Sequence, residues 1–365
     1  MNMSRAILAF LLVLTFTAGF SSSSVAGAGK AQAIAINPVQ LVSDQDYIAA
    51  GGKITYHLLF HNDLTVSQAH ARIQVHVPAP LAVIDKGTAV WDETMRLLEW
   101  DLSDVKAGGT EAFQFQLKVD ADAKKGDEIS LVAEAALQGI GTRTTPAAIV
   151  KIGTEIDQPF MQGFPDGLFH PDSNLTRAET AAIVARIKGL KAYSGEGYAD
   201  VAKTHWAYGY IQQVTAEGYM QGYKDRFRPD EPITKAELVT LMMRLHGVNG
   251  IPFETGYGDL NGHWAENVIG TARVLGYVAQ DGETLFAPNQ PILRKLASQW
   301  LDTGLFRGPL HDGDIPVTQH FADVRRDHPF FGWIEEASAV AHEAENRGDG
   351  AEYLIRYVPE ATQKF

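Results

Sequence analysis

The sequence predicts a multidomain chain: an N-terminal antiparallel β-sandwich, then an all-α, three-lobed bundle with pseudo-threefold, circularly permuted repeats. Three observations predict it. From about Ile34 to Ile152 apolar and polar residues alternate, which is the period of strands with one buried and one wet face. From Gly153 onward the texture is helical. In that second half two separate sequence elements recur in step, as repeat architectures do.

Composition narrows the functional classes. The 365 residues hold 31 Lys+Arg against 44 Asp+Glu, a formal charge of −13. Nucleic-acid binding rests on a basic surface and docking on anionic lipid on a polybasic one, so neither partner is expected. An anionic partner has to be met at local cationic pockets. There is no cysteine, which removes disulfides, thiolate nucleophiles and Cys-zinc sites.

Residues 1–28 read as a signal peptide. Arg5 is the only charge, Ala6 to Phe20 is an apolar run of 15 residues, and Ser24-Val25-Ala26 or Ala26-Gly27-Ala28 offers a small-x-small cleavage pattern. A membrane anchor is the alternative, but the run falls short of the roughly 20 residues a span needs. The expectation is a secreted chain with no membrane segment after cleavage.

Residues 29–152 form the expected sandwich. Lys53 to Phe60 is β-rich, and Ala71 to Val77 and Ala112 to Val119 alternate strictly. Pro78, Pro80, Gly87 and Gly108-Gly109 punctuate these runs as turns. Short strands with regular turns are the pattern of a sandwich. Tyr56 and Trp100 read as core aromatics. His57 and His61 share one strand face, as a metal pair would, but no third ligand lies nearby in the sequence. The succession Gly52-Lys53-Ile54-Thr55-Tyr56, His61-Asn62-Asp63, Val77-Pro78-Ala79-Pro80-Leu81, Leu98-Glu99-Trp100-Asp101-Leu102 and Lys106-Ala107-Gly108-Gly109 resembles an immunoglobulin-like repeat of bacterial surface proteins. That resemblance implies a spacer or assembly module without chemistry of its own.

Residues 153–365 carry the repeats. Tyr198-Ala199-Asp200-Val201 with His205-Trp206-Ala207 returns as Tyr257-Gly258-Asp259-Leu260 with His263-Trp264-Ala265, then as Phe321-Ala322-Asp323-Val324 with His328-Pro329-Phe330. Thr176-Arg177-Ala178-Glu179 returns as Thr234-Lys235-Ala236-Glu237 and, weakly, as Leu293-Arg294-Lys295-Leu296. Thr176 with Glu179 and Thr234 with Glu237 have capping-box spacing, so each opens a helix. Before each cap lies an aromatic turn, Gly163 to Pro171 and Gly222 to Pro229, in which Phe169 and Phe227 read as core. Arg177 and Lys235 are unneeded by a cap and slightly disfavoured at a helix start. They are either solvated charges or, beside free amides, an anion pocket; the second is the expectation.

Together, the Asp-Val, His-Trp-Ala, Gly-Tyr/Phe-x-Asp, Phe-x-Pro and Thr-Arg-Ala-Glu pieces resemble the S-layer homology (SLH) family over roughly residues 158–358. The resemblance implies binding to an acidic, pyruvylated secondary cell-wall polysaccharide in grooves between repeats. The family's cationic position falls on Arg177, Lys235 and Arg294, its Trp on Trp206 and Trp264, and its Asp on Asp200, Asp259 and Asp323, with Gly163 and Gly222 at the turn. A half repeat falls at 158–190, whole repeats at 198–248 and 257–305, and a closing half repeat at 321–358, so Phe321 to Ala344 is expected to fold back beside the first capped helix and close the ring. Copy three has Leu293 and Leu296 for Thr and Glu, Gln280 near the Gly position, and the closing half has Pro329 for Trp. At least one groove is therefore expected to be structural only, with the Arg177 groove preferred, since Lys235 lacks the planar fork of Arg.

The expected function is a non-catalytic protein on the wall or S-layer surface of a Gram-positive bacterium. Self-association or contact with other surface proteins is left open. An S-layer-like or adhesive protein working through its sandwich is the alternative, and an exported hydrolase the remote one: no Gly-x-Ser-x-Gly or His-Glu-x-x-His occurs, and Asp312-Gly313-Asp314 reads as a turn sooner than as a calcium loop. No cofactor and no metal site are expected.

Overall fold

The computed structural model describes residues 38–362 except 192, 194, 196, 279–282 and 339. The signal-peptide reading and the Gln280 departure lie outside the described residues.

The first half contains twelve described strands: β1 (Val39–Ser43), β2 (Tyr47–Ile48), β3 (Lys53–His61), β4 (Gln68–His76), β5 (Leu81–Asp85), β6 (Val90–Asp92), β7 (Leu97–Val105), β8 (Thr110–Val119), β9 (Glu128–Leu131), β10 (Ala133–Leu137), β11 (Gly141–Thr144) and β12 (Ala148–Ile152). One antiparallel sheet runs β1-β3-β8-β5 and another β11-β10-β4-β7-β6, with a small β2-β12-β9 sheet beside them. Tyr56, Phe60 and Phe115 are fully buried and Trp100 nearly so. Tyr56 stacks on Phe115 at 5.3 Å. The expected immunoglobulin-like sandwich is present, with both expected aromatics in its core. His57 and His61 lie in β3, His57 with ladder partners on each side and His61 opposite Thr110 of β8.

The second half holds α1 (Arg177–Ile187), α2 (Tyr208–Ala216), α3 (Lys235–Leu245), α4 (Glu266–Val274), α5 (Arg294–Gly304) and α6 (Phe331–Ser338). Thr176 and Thr234 close reciprocal capping boxes with Glu179 and Glu237, whereas Leu293 offers α5 no side-chain cap. The three segments that precede α1, α3 and α5 hydrogen-bond in a closed ring. Ile233 N–H donates to the Leu175 carbonyl, Ile292 N–H to Ile233, and Leu175 N–H to Ile292, at 2.9, 3.1 and 2.9 Å. Such a ring requires three lobes around an axis. Helices pair within the ring as α1 with α2, α3 with α4, and α5 with α6.

The closing half completes the first lobe. The Phe321 ring lies 5.5 Å from Phe169, and the Asp323 carboxylate accepts from the Phe169 and His170 amides at 3.0 and 2.8 Å. The last part differs from the all-α expectation. A four-stranded sheet, β13 (Glu155–Asp157), β15 (His342–Asn346), β16 (Glu352–Tyr357) and β14 (Leu310–His311) in that order, joins the start of this half to its end. Its inward side chains include Asp157, His342, Asn346 and Glu352, so the period-two signal is carried by polar residues that a hydrophobicity pattern does not register. Asp312 beside this sheet is a turn anchor held by both oxygens at 2.7 Å from Arg326. No helix among the described residues is long and apolar enough to cross a membrane.

Candidate binding grooves between the lobes

The repeated residues meet across lobes, and each copy reaches into the next. Arg177 at the start of α1 donates to the carbonyls of Phe227 and Gln221, both at 2.9 Å, and lies 3.3 Å from Glu237. Arg294 at the start of α5 repeats this on the first lobe, donating to the carbonyls of Phe169 and Gln162 at 2.9 and 2.7 Å and lying 3.1 Å from Glu179. Lys235 donates to the Phe286 carbonyl at 3.3 Å. Each cation also sits over a core ring, at 4.9 Å for Arg177 on Phe227 and 4.6 Å for Arg294 on Phe169.

The anion pocket expected at the helix starts is built differently. The Arg177 and Ala178 amides donate to Glu231 and Pro229, the Lys235 and Ala236 amides to Gln290 and Pro288, and the Arg294 and Lys295 amides to Ser173 and Pro171. The neighbouring segments thus take the first two amides of each of these helices. Arg294 is almost fully buried. Arg177 has further N–H groups beyond the three bonds it makes, since a guanidinium carries five.

The Asp positions are likewise turned inward. Asp200 accepts from the Phe227 and Arg228 amides, both at 2.8 Å, and Asp259 from those of Phe286 and Ala287 at 2.9 and 2.8 Å. Partial burial alone would raise these carboxyls; the amide bonds outweigh it and hold both below the usual range. Asp323 accepts from the matching amides of the first lobe, so the three carboxylates anchor the aromatic turns, and they line none of the described grooves. Gly163 and Gly222 have a packing reason: an added Cβ would stand 2.4 Å from the ring of Phe321 or of Tyr198.

Among the described residues, two matching grooves are open to solvent. The first, a cavity of about 510 Å³, is walled by Gly163, Glu179, Arg186, Trp206 and Arg294 among others. The second comprises adjoining cavities of about 550 and 210 Å³ that share Arg177, Gln221 and Glu237; Gly222 and Tyr223 line the larger, Arg244 and Trp264 the smaller. Trp206 is 58% and Trp264 62% exposed, far more than their size predicts for a folded chain. Each groove therefore combines a cation from one lobe, a capping Glu and a second Arg from the next, and a Trp at the lip. The corresponding third set is Lys235, Leu296, Thr303 and Pro329, which keeps only the first charge. Copy three's lost Glu thus weakens the Lys235 groove and leaves the Arg294 groove complete. Sequence reading passed over Arg186 and Arg244, although their spacing of 58 matches that of Arg177 and Lys235.

The model of the S-layer homology domain matches residues 160–181, 197–239 and 256–295. This chain carries S-layer homology repeats. Cell surface glycoprotein 1 of Acetivibrio thermocellus is 33% identical over 195 residues, 49% of this chain and 8% of that protein. The cellulosome-anchoring protein of the same organism is 35% identical over 181 residues, 45% of this chain and 40% of that one. The chain thus spans well under half the length of either relative. A solved Nocardia farcinica protein with an immunoglobulin-like fold aligns with 32% of this chain and 97% of its own, at 14% identity and a TM-score of 0.23. The three matched segments end within α1, α3 and α5 respectively.

Proposed function

We propose that the protein is a non-catalytic cell-surface protein held by its SLH module to an acidic, pyruvylated secondary cell-wall polysaccharide. In this reading residues 29–152 are a spacer or interaction domain, residues 153–365 are the anchor, and the bacterium is Gram-positive. One observation carries it: two quasi-equivalent grooves, each with a solvent-facing Trp beside Arg side chains, in repeats of a family that includes anchoring proteins. An exposed indole gives a sugar ring a flat apolar face, and a guanidinium edge receives a ketal carboxylate through paired hydrogen bonds. The overall acidity of the chain then confines binding to those grooves.

The test is sedimentation of the full chain with purified walls, before and after chemical removal of the polysaccharide. The full chain is used because the first half bonds to the end of the second: the Ala49 N–H donates to the Asn346 carbonyl of β15 at 2.8 Å. Co-sedimentation that survives removal of the polymer refutes the reading. Turnover of soluble glycans by the full chain refutes its non-catalytic part.

A further inference from the structure

Where the sandwich meets the SLH module, four acidic side chains are buried: Asp157, Asp302, Glu336 and Glu352. Arg307 is set among them, with Nε 2.7 Å from Asp157 and Nη1 3.5 Å from Glu336. The other cationic group is His342, fully buried, with Nε2 2.7 Å from Glu336. Buried carboxylates in excess of their cationic partners demand a further positive charge.

The histidine shows where that charge goes. His342 Nδ1 lies 3.0 Å from the Val340 carbonyl, an acceptor, so Nδ1 carries a proton. Nε2 then turns its lone pair, or a second proton, toward the carboxylates. That arrangement, one ring nitrogen bonded to a carbonyl and the other facing carboxylates, is the usual setting of a metal-ligating histidine. Asp157 stands directly opposite His342 in the β13–β15 ladder, and Glu336 comes from α6. Single ligand atoms of these three residues lie within 4.8 Å of one another. Among the described residues, Asp157 Oδ1 meets Arg307 Nε while its Oδ2 has no hydrogen-bond partner, and neither oxygen of Asp302 has one, although both side chains are fully buried. Burial pushes Asp302 well above the usual carboxylate range, with Glu336 adding to it.

We propose that Asp157, Glu336 and His342 bind a divalent first-row transition ion at the seam between sandwich and SLH module, with Arg307 holding Asp157 from the outer shell. One imidazole and two carboxylates suit Zn²⁺ and its neighbours better than Ca²⁺, which takes oxygen ligands. A tetrahedral ion with ligands at about 2.0–2.1 Å spaces them roughly 3.3 Å apart, so the three side chains draw together on binding. The ion replaces the proton otherwise held at Nε2. It ties β13, which follows directly on the last strand of the sandwich, to α6 and β15.

The experiment uses the full chain, stripped with chelator and dialysed, then titrated with Zn²⁺ by calorimetry and with Co²⁺ by visible absorption. One Zn²⁺ per chain is expected, raising the melting temperature by roughly 5–10 °C at a hundred-fold excess over Kd. His342→Gln is expected to weaken binding at least about 100-fold, beyond the loss typical of outer-shell changes. Glu336→Gln, which keeps size and one acceptor, serves if His342→Gln fails to fold; the Co²⁺ d–d bands of the native chain need neither variant. Absence of Co²⁺ bands and Zn²⁺ heat overturns the proposal, as does uptake unchanged by the variants. A melting temperature that rises on acidification and ignores Zn²⁺ also overturns it, because protons then balance the cluster alone.

Discussion

Asp323 tests whether the three lobes form a closed ring. It lies 153 and 154 residues from the amides it caps, those of His170 and Phe169 at 2.8 and 3.0 Å. Replacing it by Ala leaves two backbone donors unpaired at the head of the first lobe. Each charge-assisted bond contributes about 1.5–3 kcal/mol; as the carboxylate is half-buried and water partly replaces it, a combined loss of about 2–3 kcal/mol is expected. For a module of this size that lowers the melting temperature by roughly 5–10 °C. Asp200→Ala and Asp259→Ala, which break the same two bonds inside continuous repeats, set the scale, and Asp323→Asn should fall between wild type and Asp323→Ala. The assay is thermal and urea unfolding followed by near-UV circular dichroism. If Asp323→Ala melts within about 1 °C of wild type while the other two fall as predicted, the closing half does not seal the ring and the threefold account is wrong.

Three other outcomes follow from the same geometry. Trp206→Ala with Trp264→Ala should abolish most wall co-sedimentation while leaving the melting temperature nearly unchanged, because both indoles are exposed; a full loss of folding would instead make them structural. Gly163→Ala should destabilise by about 1–3 kcal/mol through its clash with the Phe321 ring, read by urea midpoint. Burial, aided by Lys188, pushes His246 down to about 4 from its ordinary 6.5. The unfolded chain therefore binds the extra proton first, and stability present above pH 6.5 is lost as pH falls toward 4, by at most about 3 kcal/mol. His246→Phe should flatten that part of the stability-versus-pH curve, and an unchanged slope would assign the acid lability elsewhere.

Much of the fold was legible because its signals are local. Period-two alternation around Tyr56, Ile73 and Phe115, and the capping boxes at Thr176 and Thr234, act through neighbours in the chain. The closing half was legible through counting, since three copies of each half-repeat have to pair. The polar sheet was not: β15 and β16 bury His342 and Glu352, residues that read as surface until their partners are seen. The candidate site was half legible. Trp206, Trp264, Arg177, Arg294, Gly163 and Gly222 line the candidate grooves, whereas the Asp carboxylates anchor the turns and Lys235 lines none of the described grooves.

The sequence by itself determined the two textures, the repeat step, the caps and the acidic balance that restricts an anionic ligand to pockets. Only the tertiary structure decided which copy meets which. Each Arg crosses to the next lobe, so the Glu missing from copy three impairs the Lys235 groove, and the groove with Arg294 stays whole. It also brought Asp157, from the start of the second half, to Glu336 and His342 near its end in one buried cluster, where desolvation makes their combined charge matter. Contacts of that kind depend on through-space distance and dielectric environment, which no spacing along the chain encodes.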